Sequence, residues 1–135
     1  MQREGGEAHV QATFLDAVGS VPGCFVLRIN VLTTRMPSGA WVRSAPDGTP
    51  DVLLTLQGQS CAVECKRPKG GRVSEAQTRW RTAFVAAGGV WMRCNNATET
   101  VAQLAGLASG ETKAALVDAL ARLKEDSQLQ GDCHE

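Results

Sequence analysis

The run Gly48-Thr49-Pro50-Asp51-Val52-Leu53-Leu54-Thr55-Leu56-Gln57-Gly58-Gln59-Ser60-Cys61-Ala62-Val63-Glu64-Cys65-Lys66 decides the expected fold. Two apolar segments flank Gln57-Gly58-Gln59-Ser60, which reads as a hairpin turn. Asp51 to Leu56 and Cys61 to Lys66 are therefore expected to pair as antiparallel strands. Side chains alternate across a strand, so Glu64 and Lys66 share a face. Asp51, opening the earlier strand, then falls near the end of the later one, close to both. Charged groups set into strand-like segments cost free energy unless something pairs with them. A bound Mg2+ or Mn2+ relieves the repulsion between two such carboxylates and polarises a phosphate oxygen beside it. The Cys65 backbone carbonyl is a further candidate oxygen ligand. Lys66 is placed to orient a water or to stabilise charge developing on phosphorus. The competing account is a structural Glu–Lys pair at a sheet edge.

Working outward, a first helix is expected from about Glu4 to Val18, with Val10, Phe14 and Val18 as its apolar stripe and Leu15 beside it. Glu7 falls on or next to that stripe. After Pro22-Gly23, Cys24 to Leu32 reads as a strand, with Phe25, Leu27, Ile29 and Val31 on one face and Arg28 and Asn30 on the other. Thr33 to Thr49 is expected to be irregular and contains Trp41 and Arg43; a loop of this length is often functional. Pro68 and Gly70-Gly71 stop the strand that carries Glu64. Ser74 caps a second helix bearing Ala76, Trp80, Ala83, Phe84 and Ala87, and Ser74-x-x-Gln77 is a capping box. Val90 to Cys94 is a fourth strand, placed after a helix and so able to pair in parallel. Thr98 is expected to cap a third helix with Val101, Leu104 and Leu107. A fourth helix, about 111–124, carries Leu116, Leu120 and Leu123. Residues 125–135 read as a polar tail, expected to be disordered.

The chain has 135 residues, 43% of them apolar, which suits one domain with a real core. Fourteen Lys+Arg balance fourteen Asp+Glu, so net charge says nothing about partners. The distribution says more. Lys66, Arg67, Lys69, Arg72, Arg79 and Arg81 cluster in a window whose acids are Glu64 and Glu75, while the C-terminal end is acidic. A solvated face is the plain reading of such a run. Arg67, Lys69 and Arg72 follow the Glu64 strand in a Gly-rich turn and are candidate contacts to backbone phosphates. The five cysteines form no CxxC motif and sit mostly in apolar runs, reading as small buried hydrophobes in a reduced compartment. No signal peptide or membrane span is evident, so a cytoplasmic protein is expected. Trp80 reads as packing; Trp41 is a candidate for stacking on an unpaired base or for burial.

Gly48-Thr49-Pro50-Asp51, Glu64-Cys65-Lys66-Arg67-Pro68, Gly70-Gly71-Arg72-Val73-Ser74 and Gln77 together resemble the VRR-NUC family of the PD-(D/E)XK nuclease superfamily. Glu7 with Gln11, Arg28 with Asn30, and Ala87-Gly88-Gly89-Val90 agree in order, so the resemblance spans about 4–107. The family usually carries an apolar residue where Cys65 stands. The resemblance implies a restriction-endonuclease-like α/β core, a mixed sheet of about four strands flanked by helices, with one domain over 1–124 and the helix near 111–124 lying beyond the family core. It implies Asp51 and Glu64 as metal ligands and Lys66 as the catalytic lysine. It also implies Glu7 facing the metal, Gln77 supporting the site, and Arg28 and Asn30 meeting phosphate. Mg2+ or Mn2+ is the implied cofactor, with no organic one.

Its implied activity is hydrolysis of DNA phosphodiesters to a 5′-phosphate and a 3′-hydroxyl, and its stand-alone members resemble homodimeric junction-resolving nucleases. The expected function is therefore a structure-specific endonuclease on branched DNA, first of all a Holliday-junction-resolving one, in a bacterial or phage-infected cell. The chain is short for a separate sequence-reading module, which favours recognition by shape. A symmetric junction needs two cuts, suiting a C2 homodimer, with the leucines of the last helix as one candidate surface. Two alternatives stay open: a nuclease on flaps, ends or linear duplex, as in phage packaging or restriction, and a non-catalytic DNA-binding scaffold on a nuclease fold.

Overall fold

A computed structural model describes residues 6–132. In chain order its elements are α1 (Glu7–Val18), β1 (Cys24–Arg28), β2 (Thr33–Arg35), β3 (Trp41–Arg43), β4 (Val52–Leu56), β5 (Gln59–Cys65), α2 (Glu75–Ala86), β6 (Val90–Cys94), α3 (Ala97–Leu107) and α4 (Gly110–Asp132). The four-stranded sheet has the order β1-β4-β5-β6, and β2 with β3 forms a separate two-stranded arm. The expected hairpin is β4–β5, in antiparallel register from Val52↔Val63 to Leu56↔Gln59. Gln57 and Gly58 close it with φ of 48° and 86°, the pair of positive angles that a tight two-residue hairpin turn requires. The chain then crosses over through α2 and returns as β6, parallel to β5. The sheet is therefore mixed and the fold α/β.

The core lies on one face of the sheet. Val52, Leu54 and Leu56 from β4 and Cys61, Val63 and Cys65 from β5 join Met92 and Cys94 of β6 there. Val10, Phe14 and Val18 of α1, Val101 and Leu104 of α3 and Leu116 of α4 cover them. On the opposite face, β5 presents Ala62 and Glu64, and α2 supplies cover without fully burying any residue of its own. Trp80 of α2 stacks on Phe84 at 4.8 Å between ring centroids and remains half-buried.

Several expectations need correction. β1 ends at Arg28, and the stretch expected to be irregular contains the β2–β3 arm. The apolar alternation of β1 does not mark the core face: Cys24 and Val26 pack on the core, whereas Phe25 and Leu27 are 73% and 52% exposed. Asn96 rather than Thr98 caps α3, accepting from the Glu99 N–H, and Leu107 is exposed. α4 continues past Lys124 to Asp132, through most of the stretch expected to be a disordered tail. Its Leu116 is fully buried, and Leu120 and Leu123 pack against the same core, so that stripe serves the chain itself rather than a second copy. The expected helix start at Glu4, and Cys133, lie outside the described residues.

Gly48 seats the loop before β4 against α2. Its φ is +84°, and a Cβ there would strike the Ala76 carbonyl and come within 2.7 Å of the Gln77 nitrogen. Gly58 has a similar φ of +86°, but a Cβ there would meet nothing within 4 Å. Gly58→Ala should therefore cost only the backbone strain, about 1 kcal/mol, whereas Gly48→Ala should cost at least about 2–3 kcal/mol. Urea unfolding checks this; equal costs would show that the loop does not rest on α2.

Candidate metal centre

The hairpin register brings the start of β4 beside the end of β5. There the Cys65 N–H donates to Asp51 Oδ2 at 2.8 Å, and the Asp51 carbonyl accepts from the Ile29 N–H at 2.7 Å. Asp51 is thus fixed from both neighbouring strands. The Lys66 N–H donates to the Cys94 carbonyl at 2.9 Å, which carries the β5–β6 ladder one residue further and fixes Lys66 too.

Glu64 is only 3% exposed. Its Oε1 accepts from Gln77 Nε2 at 2.8 Å and lies 3.5 Å from Lys66 Nζ. Gln77 serves two ends at once. Its Oε1 accepts from the Ser74 N–H at 3.0 Å while its own backbone N–H donates to Ser74 Oγ, so the capping box that starts α2 also aims the amide at Glu64. Glu7, exposed in the first turn of α1, completes the group. One carboxylate oxygen from each of Glu7, Asp51 and Glu64 lies within 4.8 Å of the other two. A hard divalent cation holds oxygens at roughly 2.0–2.6 Å, so two of its ligands stand no more than about 5 Å apart. The three carboxylates fit such an ion in spacing and chemistry.

Charge is unbalanced here, with three carboxylates facing one ammonium. Burial, then the Asp51 charge, pushes the Glu64 carboxyl up to about 7; Lys66 pulls it back through its charge and hydrogen bond, and Glu7 adds a smaller upward push. Burial raises Cys61 to about 11; the contact between the Cys65 and Cys94 thiols, with burial, raises Cys65, and the same contact lowers Cys94. Cys65 meets the site through its peptide.

β6 contributes residues that the sequence did not single out. Arg93 pairs in register with Glu64, and its guanidinium donates to the Gly71 carbonyl. Asn95 Nδ2 donates to the Arg67 carbonyl at 2.8 Å. Together they pin the turn that follows β5. Gly71 lies so close to Lys66 that an added Cβ would stand 2.7 Å from the lysine Cβ. The period-two position of Arg93 opposite Glu64 was the available signal, but it needs the β5–β6 register to be visible.

The remaining expected residues surround this cluster. Arg67, Lys69 and Arg72 are exposed on the turn after β5. Of the other cations in that window, Arg79 stands 4.0 Å from Glu75 and Arg81 stacks on Trp91 at 4.6 Å from the ring centroid. Arg28 pairs in register with the buried Val52, so its side chain leaves the sheet on the core face, at the exposed strand end, rather than beside Glu64. Asn30 is exposed, and its carbonyl accepts from Ser44 Oγ at 3.1 Å. Gln11 is half-buried one helical turn after Glu7. Comparison with protein-family models, curated proteins and solved structures finds no significant match to this chain.

The Glu64 shift fixes a pH dependence. The carboxyl titrates higher when folded than its ordinary 4.5, so the metal-free protein has this stability in full below about pH 4.5 and loses it as pH rises through about 7. Urea midpoints across that window should fall for the parent chain more steeply than for Glu64→Gln; identical slopes would contradict the burial argument. At pH 8, Mn2+ should raise the melting temperature of the parent chain and leave that of Glu64→Gln and Asp51→Asn unchanged.

Proposed function

We propose that this chain is a metal-dependent DNA endonuclease of the VRR-NUC kind, acting on branched DNA and foremost on four-way junctions. The observation that carries the reading is the buried Glu64 held against Asp51, Glu7 and Lys66 at one end of a hairpin. A structural Glu–Lys pair explains Lys66 alone. It does not explain why two further carboxylate oxygens converge on the same point, where they raise the energy of the ionised site.

Glu7, Asp51 and Glu64 would hold Mg2+ or Mn2+. When bound, the ion supplies a polarised phosphate oxygen and a more acidic water. The chain's own groups do the rest. The Cys65 N–H keeps Asp51 Oδ2 in place, and Gln77 and Lys66 both engage Oε1 of Glu64, which leaves Oε2 for a further ligand. The Lys66 side chain is 12% exposed, so its ammonium faces substrate from a largely dry wall and offers donors to charge developing on the phosphorus oxygens. Arg67, Lys69 and Arg72 supply sequence-independent contacts along the DNA backbone. Two cuts in a symmetric junction call for two copies. With Leu116, Leu120 and Leu123 of α4 packed on the core, Phe25 and Leu27, exposed on edge strand β1, are one candidate surface for the second copy.

Lys66→Ala should bind junction DNA within a few-fold of the parent chain yet cut it at least about a hundred-fold more slowly in Mg2+. Gel-resolved cleavage of end-labelled junction, flap and linear duplex, with an EDTA control, checks this. Normal cutting by Lys66→Ala would remove the lysine from the mechanism. No metal-dependent cutting of any substrate by the parent chain would leave a DNA-binding scaffold.

A further inference from the structure

We propose that the β2–β3 arm binds an unstacked nucleobase on Trp41, and that this contact gives the site its preference for branched DNA; the proposal rests on the nuclease reading above. The arm is rooted at the metal centre at both ends. It leaves β1 just after Ile29, whose N–H holds the Asp51 carbonyl, and it returns through Asp47 and Gly48 to Asp51 itself. Ser44 ties the base shut: its N–H donates to the Leu32 carbonyl at 2.9 Å and its Oγ accepts from the Leu32 N–H at 2.8 Å. A substrate strand in the metal centre therefore lies beside this arm.

The register sorts its side chains into two faces. Arg35 pairs with Trp41 and Thr33 with Arg43, so Trp41 and two arginines share one face; Thr34 and Val42 point to the other. Trp41 is 66% exposed, and the Arg35 guanidinium stands 5.9 Å from the centroid of its ring. An indole left that open forgoes most of its burial free energy. The partner chemistry follows from charge. No carboxylate occurs between Asp16 and Asp47, but Asp47 itself pairs with Arg43, so Arg35 carries the charge beside the Trp41 ring. A guanidinium beside an open aromatic ring complements a polyanion with planar bases. In continuous duplex both faces of every base are already stacked, so an indole has nothing to take. At a branch point, flap or frayed end a face is free. Discrimination by shape then needs no reading of base edges.

The test uses the full chain in EDTA, so that binding is read without cleavage. Fluorescence anisotropy is recorded on a four-way junction, a single-stranded flap and a linear duplex of equal length, with 2-aminopurine at the branch point reporting stacking. Trp41→Ala should weaken junction and flap binding about ten-fold while leaving linear duplex within about two-fold, and should abolish the 2-aminopurine quench. Trp41→Phe should restore most of both. Arg35→Gln keeps the indole and should retain the quench with weaker binding. Equal effects on all three DNAs, or none, would overturn the proposal, as would conversion of a dimer to monomer by Trp41→Ala in light scattering. Branch-selective loss in Trp41→Ala, with no metal-dependent cutting by the parent chain, would uphold the arm and reject the nuclease. Absence of any DNA binding by the parent chain would reject both.

Discussion

Everything at the site depends on keeping one carboxylate, Glu64, in a strand that is otherwise apolar. At 3% exposure it is shielded from water, and its neighbours Asp51 and Glu7 make ionisation harder rather than easier. Two devices tolerate this. Lys66, on the same face two residues on, supplies one positive charge, and Gln77 supplies a neutral donor that adds no counter-charge. The balance stays negative, a state that a divalent cation would offset.

The scaffold around Glu64 serves to hold that frustrated arrangement rigid. The β4–β5 register sets Asp51, the parallel pairing with β6 sets Lys66, and the seat of Gly48 on α2 sets Gln77 relative to both. The capping box links local helix initiation to the site: losing the Gln77 amide removes a helix cap and a Glu64 partner together. On the far face, Val52, Val63 and Cys65 alternate with the site residues and anchor the same strands in the core. One short hairpin therefore carries hydrophobic anchoring on one side and the carboxylate cluster on the other.

The hairpin and the convergence of Asp51, Glu64 and Lys66 were legible because a period of two leaves little freedom, although the turn is Gln57-Gly58 alone, with Gln59 and Ser60 already in β5. The helix stripe of α1 was legible for the same reason, since Val10, Phe14 and Val18 repeat every four residues. Other features were hidden. In β1 the more apolar alternation, Phe25 and Leu27, faces away from α1, α3 and α4, and the smaller Cys24 and Val26 face the core, so hydrophobicity pointed to the wrong side. β2 and β3 are three residues each, flanked by Pro37 and Gly39, too short for any pattern. The end of α4 carries only one apolar side chain, the exposed Leu129, and a helix without an apolar stripe looks like a tail. Arg93 and Asn95 gain their meaning only from the β5–β6 register.

The most direct test of the central claim is calorimetric titration of Mn2+ into the metal-free protein at pH 6.5, repeated in two buffers of different ionisation enthalpy. The account predicts saturable binding accompanied by proton release, because Glu64, pushed up to about 7, must ionise to ligate. Both should vanish in Asp51→Asn. Binding without released protons, or binding that survives Asp51→Asn, would contradict a cation held by the Glu7–Asp51–Glu64 cluster.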